Sequence, residues 1–482
     1  MIRRTKILAT LGPSTDEPDT LKGILDAGVN VVRINFSHNN EKEHLARIAQ
    51  IRQYEEENDV FIGVMMDLQG PKIRIASFKS EKIELKKGDQ FTLDAGLAED
   101  AGDQDSVGLA YKQLPNDLSI GNTLLLDDGK IILQVEQISG KKIKTQVIQG
   151  GLLSNNKGIN LRGGGLSASA LTAKDKRDII TAAKADADYV AISFPVNADD
   201  VRETKRLLAE AGSNASVIAK IERAESLEDD VITEIIQESA GIMVARGDLG
   251  VEIPLEQVPA AQERIVSACL ERGTPVVVAT QMLESMVNHA RPTRAEVTDV
   301  ATAIRQHVSA VMLSGETANG QHPVKAVETM ARIAETVEQS TKGLPDPPAL
   351  AAYVSTRVIA GAAIDIARET KAKHLIVGTE HGNAARLMAA HRPRIPIYAM
   401  TNRIRAARRT TILPGVESLI VEEQTRARST VAEAVKQLHQ QKKIRPNDTI
   451  VAISGSPLAI TGRTSTIRLL YVNEKGELSD LE

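Results

Sequence analysis

The chain has 482 residues, a formal net charge of -4 and 25% charged side chains. That length is too great for a single hydrophobic core and calls for two to four domains, while the near-balanced charge excludes a protein that coats nucleic acid and leaves room for a local basic pocket. The single cysteine, Cys269, excludes a disulfide scaffold and any multi-cysteine metal site, and it falls in an apolar helical pattern as core filler.

Met1-Ile-Arg-Arg-Thr-Lys6 runs directly into a strand-like segment, with no apolar stretch suited to a signal peptide or a membrane span. A cytoplasmic protein without a membrane partner is expected. Eight apolar, β-branched runs then recur: 6–11, 29–36, 63–68, 189–194, 217–221, 241–245, 275–279 and 310–313. They are nearly continuous in apolar character, as parallel strands covered on both faces must be. Segments of 3.6-residue period such as 175–187 fill the gaps, which is the pattern of a (β/α)8 TIM barrel.

One gap breaks the rhythm. Short alternating pieces at 82–85, 90–93, 123–126, 131–138 and 141–147, joined by Gly, Asp and Asn turns, predict a small all-β domain inserted after the third strand. Removing it leaves roughly 245 residues, a usual barrel size. Lys342-Gly-Leu-Pro-Asp-Pro-Pro348 has linker chemistry. Beyond it, helices alternate with strands at 374–377, 397–400, 418–421, 449–453 and 467–472 in a separate α/β domain with a parallel sheet. The predicted division is a catalytic barrel over 1–70 and 167–342, an inserted β-barrel lid over 71–166, and a carboxy-terminal domain over 343–482.

Charged and polar groups collect where the barrel strands end, on the face that βα loops turn into an active site. Strand two ends Arg33-Ile-Asn35-Phe-Ser37-His38, strand three Asp67-Leu68-Gln-Gly-Pro-Lys72-Ile-Arg74, strand five Lys220-Ile-Glu222, strand six Ala245-Arg246-Gly247-Asp248, strand seven Thr280-Gln281, strand eight Ser314-Gly-Glu316. Lys220 and Glu222 are two residues apart on a strand and so share a face. An ion pair pinning the strand end would explain them alone, but five or more such ends converging on one rim are poorly explained by caps and loop salt bridges. Glu222 and Asp248 are hard oxygen ligands suited to Mg2+, and Arg33, Arg74 and Lys220 supply charge for a phosphorylated substrate. Gly247 lets backbone N–H groups approach an anion. Gly315-Glu-Thr-Ala-Asn-Gly320 lacks the lysine of a phosphate-binding loop, which argues against that class of nucleotide hydrolase. Composition and spacing reach a metal-assisted barrel enzyme acting on a small phosphoanion. A barrel lyase or aldolase, with a metal or with a Schiff base on Lys220, and a silent metabolite sensor both stay open at this point.

Several strings are more specific. Val217-Ile-Ala-Lys-Ile-Glu-Arg-Ala-Glu-Ser226, Val31-Val-Arg-Ile-Asn-Phe-Ser-His38, Met243-Val-Ala-Arg-Gly-Asp-Leu-Gly-Val-Glu-Ile-Pro254, Ala279-Thr-Gln-Met-Leu-Glu-Ser-Met286 and Met312-Leu-Ser-Gly-Glu-Thr-Ala318 resemble, in order, the motifs of pyruvate kinases. The resemblance spans essentially the whole chain. It implies phosphoryl transfer from phosphoenolpyruvate to ADP, giving pyruvate and ATP, with Mg2+ or Mn2+ held by Glu222 and Asp248. Lys220 would neutralise the moving phosphoryl group and Arg33 would contact the phosphate. Gly247, Asp248 and Thr280 would hold the carboxylate, and Thr280 and Ser314 would serve the proton relay to the enolate. Asn35, His38, Arg74 and Lys157 resemble nucleotide-side residues, Lys157 reaching in from the lid.

One departure concerns the monovalent ion. Many members bind K+ at positions matching Asn35, Ser37, Asp67 and Leu68 and carry Glu where this chain has Lys72. The ammonium of Lys72 substitutes for K+ on this reading, so K+ is not required, as in the lysine-bearing branch. Thr379, His381 and Asn383, with Ser454, Arg463 and Thr464, resemble an effector-phosphate site in a regulatory carboxy-terminal domain, fitting a sugar phosphate or AMP. The family implies a homotetramer. Arg403, Arg405, Arg408 and Arg409 form a basic helix face, read as solvated or as a subunit contact in preference to a nucleic-acid patch.

Overall fold

The structure, a computed structural model, describes residues 3–71, 73–341, 354–422, 427–455 and 464–479. Eight parallel strands close into a barrel: Lys6–Thr10, Val31–Asn35, Gly63–Asp67, Tyr189–Ile192, Ser216–Ile221, Gly241–Ala245, Val276–Ala279 and Ala310–Leu313. Each neighbours the next in sequence order, and the first pairs with the eighth through Lys6–Ala310 to Ala9–Leu313. Alternation along the strands divides the barrel into two packed layers. Leu8, Val31, Met65, Tyr189, Ile218, Met243, Val277 and Met312 fill the interior, whereas Ile7, Ala9, Val32, Val64 and Val217 face the helical jacket.

The segment between the third and fourth strands forms a separate β domain. Its strands make a six-stranded sheet and a two-stranded ribbon of Gly151–Ser154 with Lys82–Leu85, and neither closes into a hydrogen-bonded barrel among the described residues. Three of its strands, Ser106–Gly108, Gly151–Ser154 and Ile159–Leu161, escape the sequence pattern because three or four residues are too few for alternation to register. The domain has its own core around Phe91, Leu93, Leu124, Leu133 and Val147.

The carboxy-terminal sheet has four parallel strands, Val416–Ile420, Ile397–Thr401, His374–Gly378 and Thr449–Gly455. Antiparallel Thr464–Val472 and Leu478–Ser479 extend one edge. The interior layer of the barrel is continuous with this domain's core, through Tyr189 and Leu8 to Ile412, Leu413 and Leu375. The proline-rich segment 342–348 lies outside the described residues.

The basic helix Ile404–Arg409 corrects the expectation of a solvated face or subunit contact. It docks on the floor of its own barrel: Arg408 Nη2 lies 2.6 Å from Glu55 Oε2, Arg405 pairs with Asp186, and Arg409 donates to Asn214. Glu55 also accepts the Ile62 N–H at 2.7 Å and neighbours Arg52, which reaches Asp188 at 2.8 Å. The arginines are separated from these partners by 195 to 353 residues, so no local pattern reveals them.

Candidate active site

Strand five delivers Lys220, 8% exposed, and Glu222, fully buried, to the same side of the barrel mouth, with Nζ 2.9 Å from Oε1. Strand three contributes Asp67 between two cations: Oδ1 is 3.2 Å from Lys220 Nζ and Oδ2 accepts from Arg33 Nε at 2.6 Å. Arg33 is further held by Thr10 Oγ1 at 3.1 Å. Burial by itself would lower the Lys220 pKa, but Asp67 and Glu222 outweigh it and keep the amine protonated, above its ordinary value. Burial likewise opposes ionisation of Asp67, and Lys220 with Arg33 overcomes that and holds it below the usual carboxylate value. Glu222 goes the other way: burial, reinforced by the charge of Asp248 against the pull of Lys220, pushes it up to about 8.

The donor set fits a divalent cation. Glu222 Oε2 accepts the Phe194 N–H at 2.8 Å, while the buried Oε1 faces Lys220 Nζ at 2.9 Å. Asp248, in the first turn of the short helix Arg246–Glu252, lines the same cavity. Two carboxylates converging on one cavity, Glu222 and Asp248, are a hard-oxygen site. Among the described residues no cluster of three or more His, Cys, Asp or Glu side chains makes a closed metal cage. An ion such as Mg2+ takes waters and substrate oxygens as its further ligands.

Strands six and seven are tied together beside it. The Gly247 N–H donates to Thr280 Oγ1 at 2.8 Å, and that hydroxyl donates to Ala279 O at 2.6 Å. Thr280 stands at φ 71°, in the left-handed region where a β-branched residue is strained. Arg246 holds it there, donating to Thr280 O at 2.7 Å while pairing with Asp299 at 2.7 Å. At the end of strand eight the Ser314 hydroxyl is buried without a partner, and Glu316 accepts both the Ser314 N–H at 2.7 Å and the Leu283 N–H at 2.9 Å.

A cavity of about 410 Å³ between the barrel rim and the inserted domain is lined by Arg33, Asn35, Ser37, Leu68, Lys220, Glu222 and Asp248 from the barrel. Arg74, at the junction, and Lys157, from the inserted domain, line it too. Lys157 pairs with Asp127 at 2.8 Å, and Arg74 donates to Asn156 O at 2.8 Å. Gly247, Thr280 and Ser314 stand on neighbouring strand ends outside its lining, His38 is exposed beyond it, and Lys72 lies outside the described residues. Sequence reasoning missed Ser193, Asp127 and Glu252 on this cavity and the bracing role of Arg246. Arg246 and Glu252 sit inside a quoted motif and were open to question; a lone Ser or Asp carries no such signal.

In the carboxy-terminal domain, Thr379 Oγ1 accepts the Gly382 N–H at 3.0 Å, and Gly382, at φ 91°, precedes the helix Asn383–Ala390. Val377 is in register with Ile453, and Gly455 with Thr464, so Thr379, Ser454 and Thr464 gather at one end of the sheet. His381 lies 3.7 Å from Glu380, which also pairs with Arg403. Arg463 lies outside the described residues.

The family model for the pyruvate kinase barrel domain matches residues 2–327, and that for the pyruvate kinase alpha/beta domain matches 357–470. The chain belongs to the pyruvate kinase family. It is 42% identical over 475 residues to a pyruvate kinase of Buchnera aphidicola from Acyrthosiphon pisum, covering 98% of this chain and 99% of that one. It is 40% identical, with the same coverage, to pyruvate kinase II of Salmonella typhimurium. A crystal structure of a pyruvate kinase from Cryptosporidium parvum superposes with a TM-score of 0.89 at 33% identity, covering 97% of this chain and 96% of that one. The enzyme is a phosphotransferase acting on phosphoenolpyruvate, ADP and pyruvate, in a family that generally needs Mg2+. Among the described residues no helix is long and apolar enough to cross a membrane.

Proposed function

We propose that the reaction takes place in the cavity at the barrel mouth, with Lys220 as the ammonium that neutralises the transferring phosphoryl group. The supporting observation is the position of Lys220: it is buried, held protonated by two carboxylates, and lines the same cavity as Arg33 and Asp248. Phosphoryl transfer needs positioning and charge stabilisation more than covalent help, and a preorganised cation in a dry site supplies both. A Schiff-base lyase needs the reverse, an amine whose pKa is depressed enough to attack a carbonyl.

Glu222 and Asp248 would hold Mg2+, or Mn2+, which when bound supplies positive charge to phosphate and enolate oxygens. Arg33 binds the phosphate. Gly247, Asp248 and Thr280 receive the carboxylate, with Thr280 braced by Arg246 so that its hydroxyl stays at the strand end. Thr280 and Ser314 carry the proton to the enolate carbon, and the unpartnered Ser314 hydroxyl is suited to taking part in such a relay. Asn35, His38, Arg74 and Lys157 serve the nucleotide, and closure of the inserted domain excludes water.

On this reading the enzyme belongs to the K+-independent branch, with Lys72 in place of the monovalent cation at Asn35, Ser37, Asp67 and Leu68. A sugar phosphate or AMP binds at Thr379, His381, Asn383, Ser454, Arg463 and Thr464 as allosteric activator, and the working form is a cytoplasmic homotetramer. Phosphoenolpyruvate, ADP and Mg2+, with pyruvate followed through lactate dehydrogenase, test the site directly. Full turnover by a Lys220→Ala enzyme would remove the proposed role.

A further inference from the structure

Ser193 follows the fourth barrel strand, is 1% exposed, and has a hydroxyl in the middle of the charge cluster. It accepts from Lys220 Nζ at 2.7 Å and donates to Leu68 O at 2.7 Å; Asp67 Oδ1, at 3.4 Å, is the poorer acceptor for its single proton. The direction of this chain is fixed. An ammonium only donates and a carbonyl only accepts, so the hydroxyl must point its proton at Leu68 and its lone pair at Lys220.

The three N–H groups of Lys220 thus face Ser193, Asp67 and Glu222. Two of these are carboxylates. Ser193 is the neutral leg of the tripod. It orients the ammonium without cancelling its charge, which a third carboxylate there would do. The close approach of the strand-three loop depends on the same residue. A Cβ on Gly70, at φ 68°, would lie 2.8 Å from Ser193 Cβ, so the loop that carries Gln69 toward the cavity packs onto Ser193 only because residue 70 has no side chain.

We propose that Ser193 is a positioning residue for phosphoryl transfer, aiming Lys220 at the transferring group and tying it to the Leu68 carbonyl. The proposal rests on the role given to Lys220 above.

A double-mutant cycle separates the two. Ser193→Ala should lower kcat by about 10- to 100-fold, the usual cost of losing an orienting hydrogen bond behind a reacting group, with KM for phosphoenolpyruvate and ADP within about threefold. In a Lys220→Ala background the same change should cost less than about twofold, because nothing is left to orient. Ser193→Thr, which keeps the hydroxyl, should recover most of the loss. A kcat for Ser193→Ala within about twofold of the unaltered enzyme, or an equal loss in both backgrounds, overturns the proposal. If Ser193→Ala fails to fold, Ser193→Cys, close in shape but a weak hydrogen-bonding partner, is judged on the same two comparisons. If Lys220→Ala alone retains full turnover, the role of Lys220 itself falls.

Discussion

Gly247 gives its backbone N–H to the hydroxyl of Thr280 across the ends of strands six and seven, at 2.8 Å, and Thr280 holds that position at φ 71°. The strain of a β-branched residue in the left-handed region, about 1–3 kcal/mol, is carried by Arg246, which grips the Thr280 carbonyl. Thr280→Ala should therefore leave the melting temperature nearly unchanged while lowering kcat/KM for phosphoenolpyruvate by at least about 100-fold. Differential scanning calorimetry beside steady-state kinetics checks both halves. A large loss of stability with intact activity would contradict the account.

Lys220→Ala removes the protonated amine around which Asp67, Ser193 and Glu222 are arranged. Turnover should fall by about two to three orders of magnitude or more, the range seen when one preorganised electrostatic stabiliser is lost. Initial rates at saturating substrates, with binding of phosphoenolpyruvate measured separately, distinguish lost catalysis from lost affinity.

Glu252, on the wall of the same cavity, offers a pH signature. It accepts the Ala224 N–H at 3.0 Å and bonds the Asn160 side chain, joining the barrel to the returning strand of the inserted domain. Burial, with the nearby charge of Glu225, pushes its carboxyl from 4.5 up to about 7 against the pull of Ala224 and Arg223. Between those two values the folded chain holds a proton that the unfolded chain has lost. This contribution is therefore fully favourable below pH 4.5, fades as pH rises toward 7, and becomes a constant cost above it. Glu252→Gln keeps an acceptor for Ala224 without the titrating charge. It should stabilise the enzyme at pH 8 by up to about 3 kcal/mol and have little effect at pH 5. Urea melts at the two pH values measure the difference.

Arg408 and Glu55 clamp the carboxy-terminal domain to the barrel floor at 2.6 Å, with Glu55 almost wholly buried. Arg408→Ala strands that carboxylate beside Arg52 alone and should cost about 3–5 kcal/mol of stability, the range for breaking a buried pair on one side. Chemical denaturation reports the loss, and faster proteolysis between the two domains would accompany it.

On the proposed assignment of Lys72, whose ammonium would replace a soluble cation of the same charge, activity in tetramethylammonium buffer should change by less than about twofold on adding KCl. Lys72→Glu should introduce a K+ requirement. Strong activation of the unaltered enzyme by KCl would refute the assignment of Lys72.

The order of residues already dictated the barrel, because a parallel strand buried on both faces must be continuously apolar and each of the eight strands shows this within four to six residues. It also determined that Lys220 and Glu222 share a face, since strand geometry permits nothing else. Which groups those charges meet is set by packing in three dimensions. Asp67 lies between Arg33 and Lys220, Ser193 beneath the ammonium, Arg246 behind Thr280, and the basic helix against Glu55. Each of these depends on residues 27 to more than 300 apart in the chain being brought within 3.2 Å by closure of the barrel or by docking of the carboxy-terminal domain on it. A hydroxyl such as that of Ser193 has no charge or periodicity to announce it, and its importance comes entirely from what packing places at its two ends.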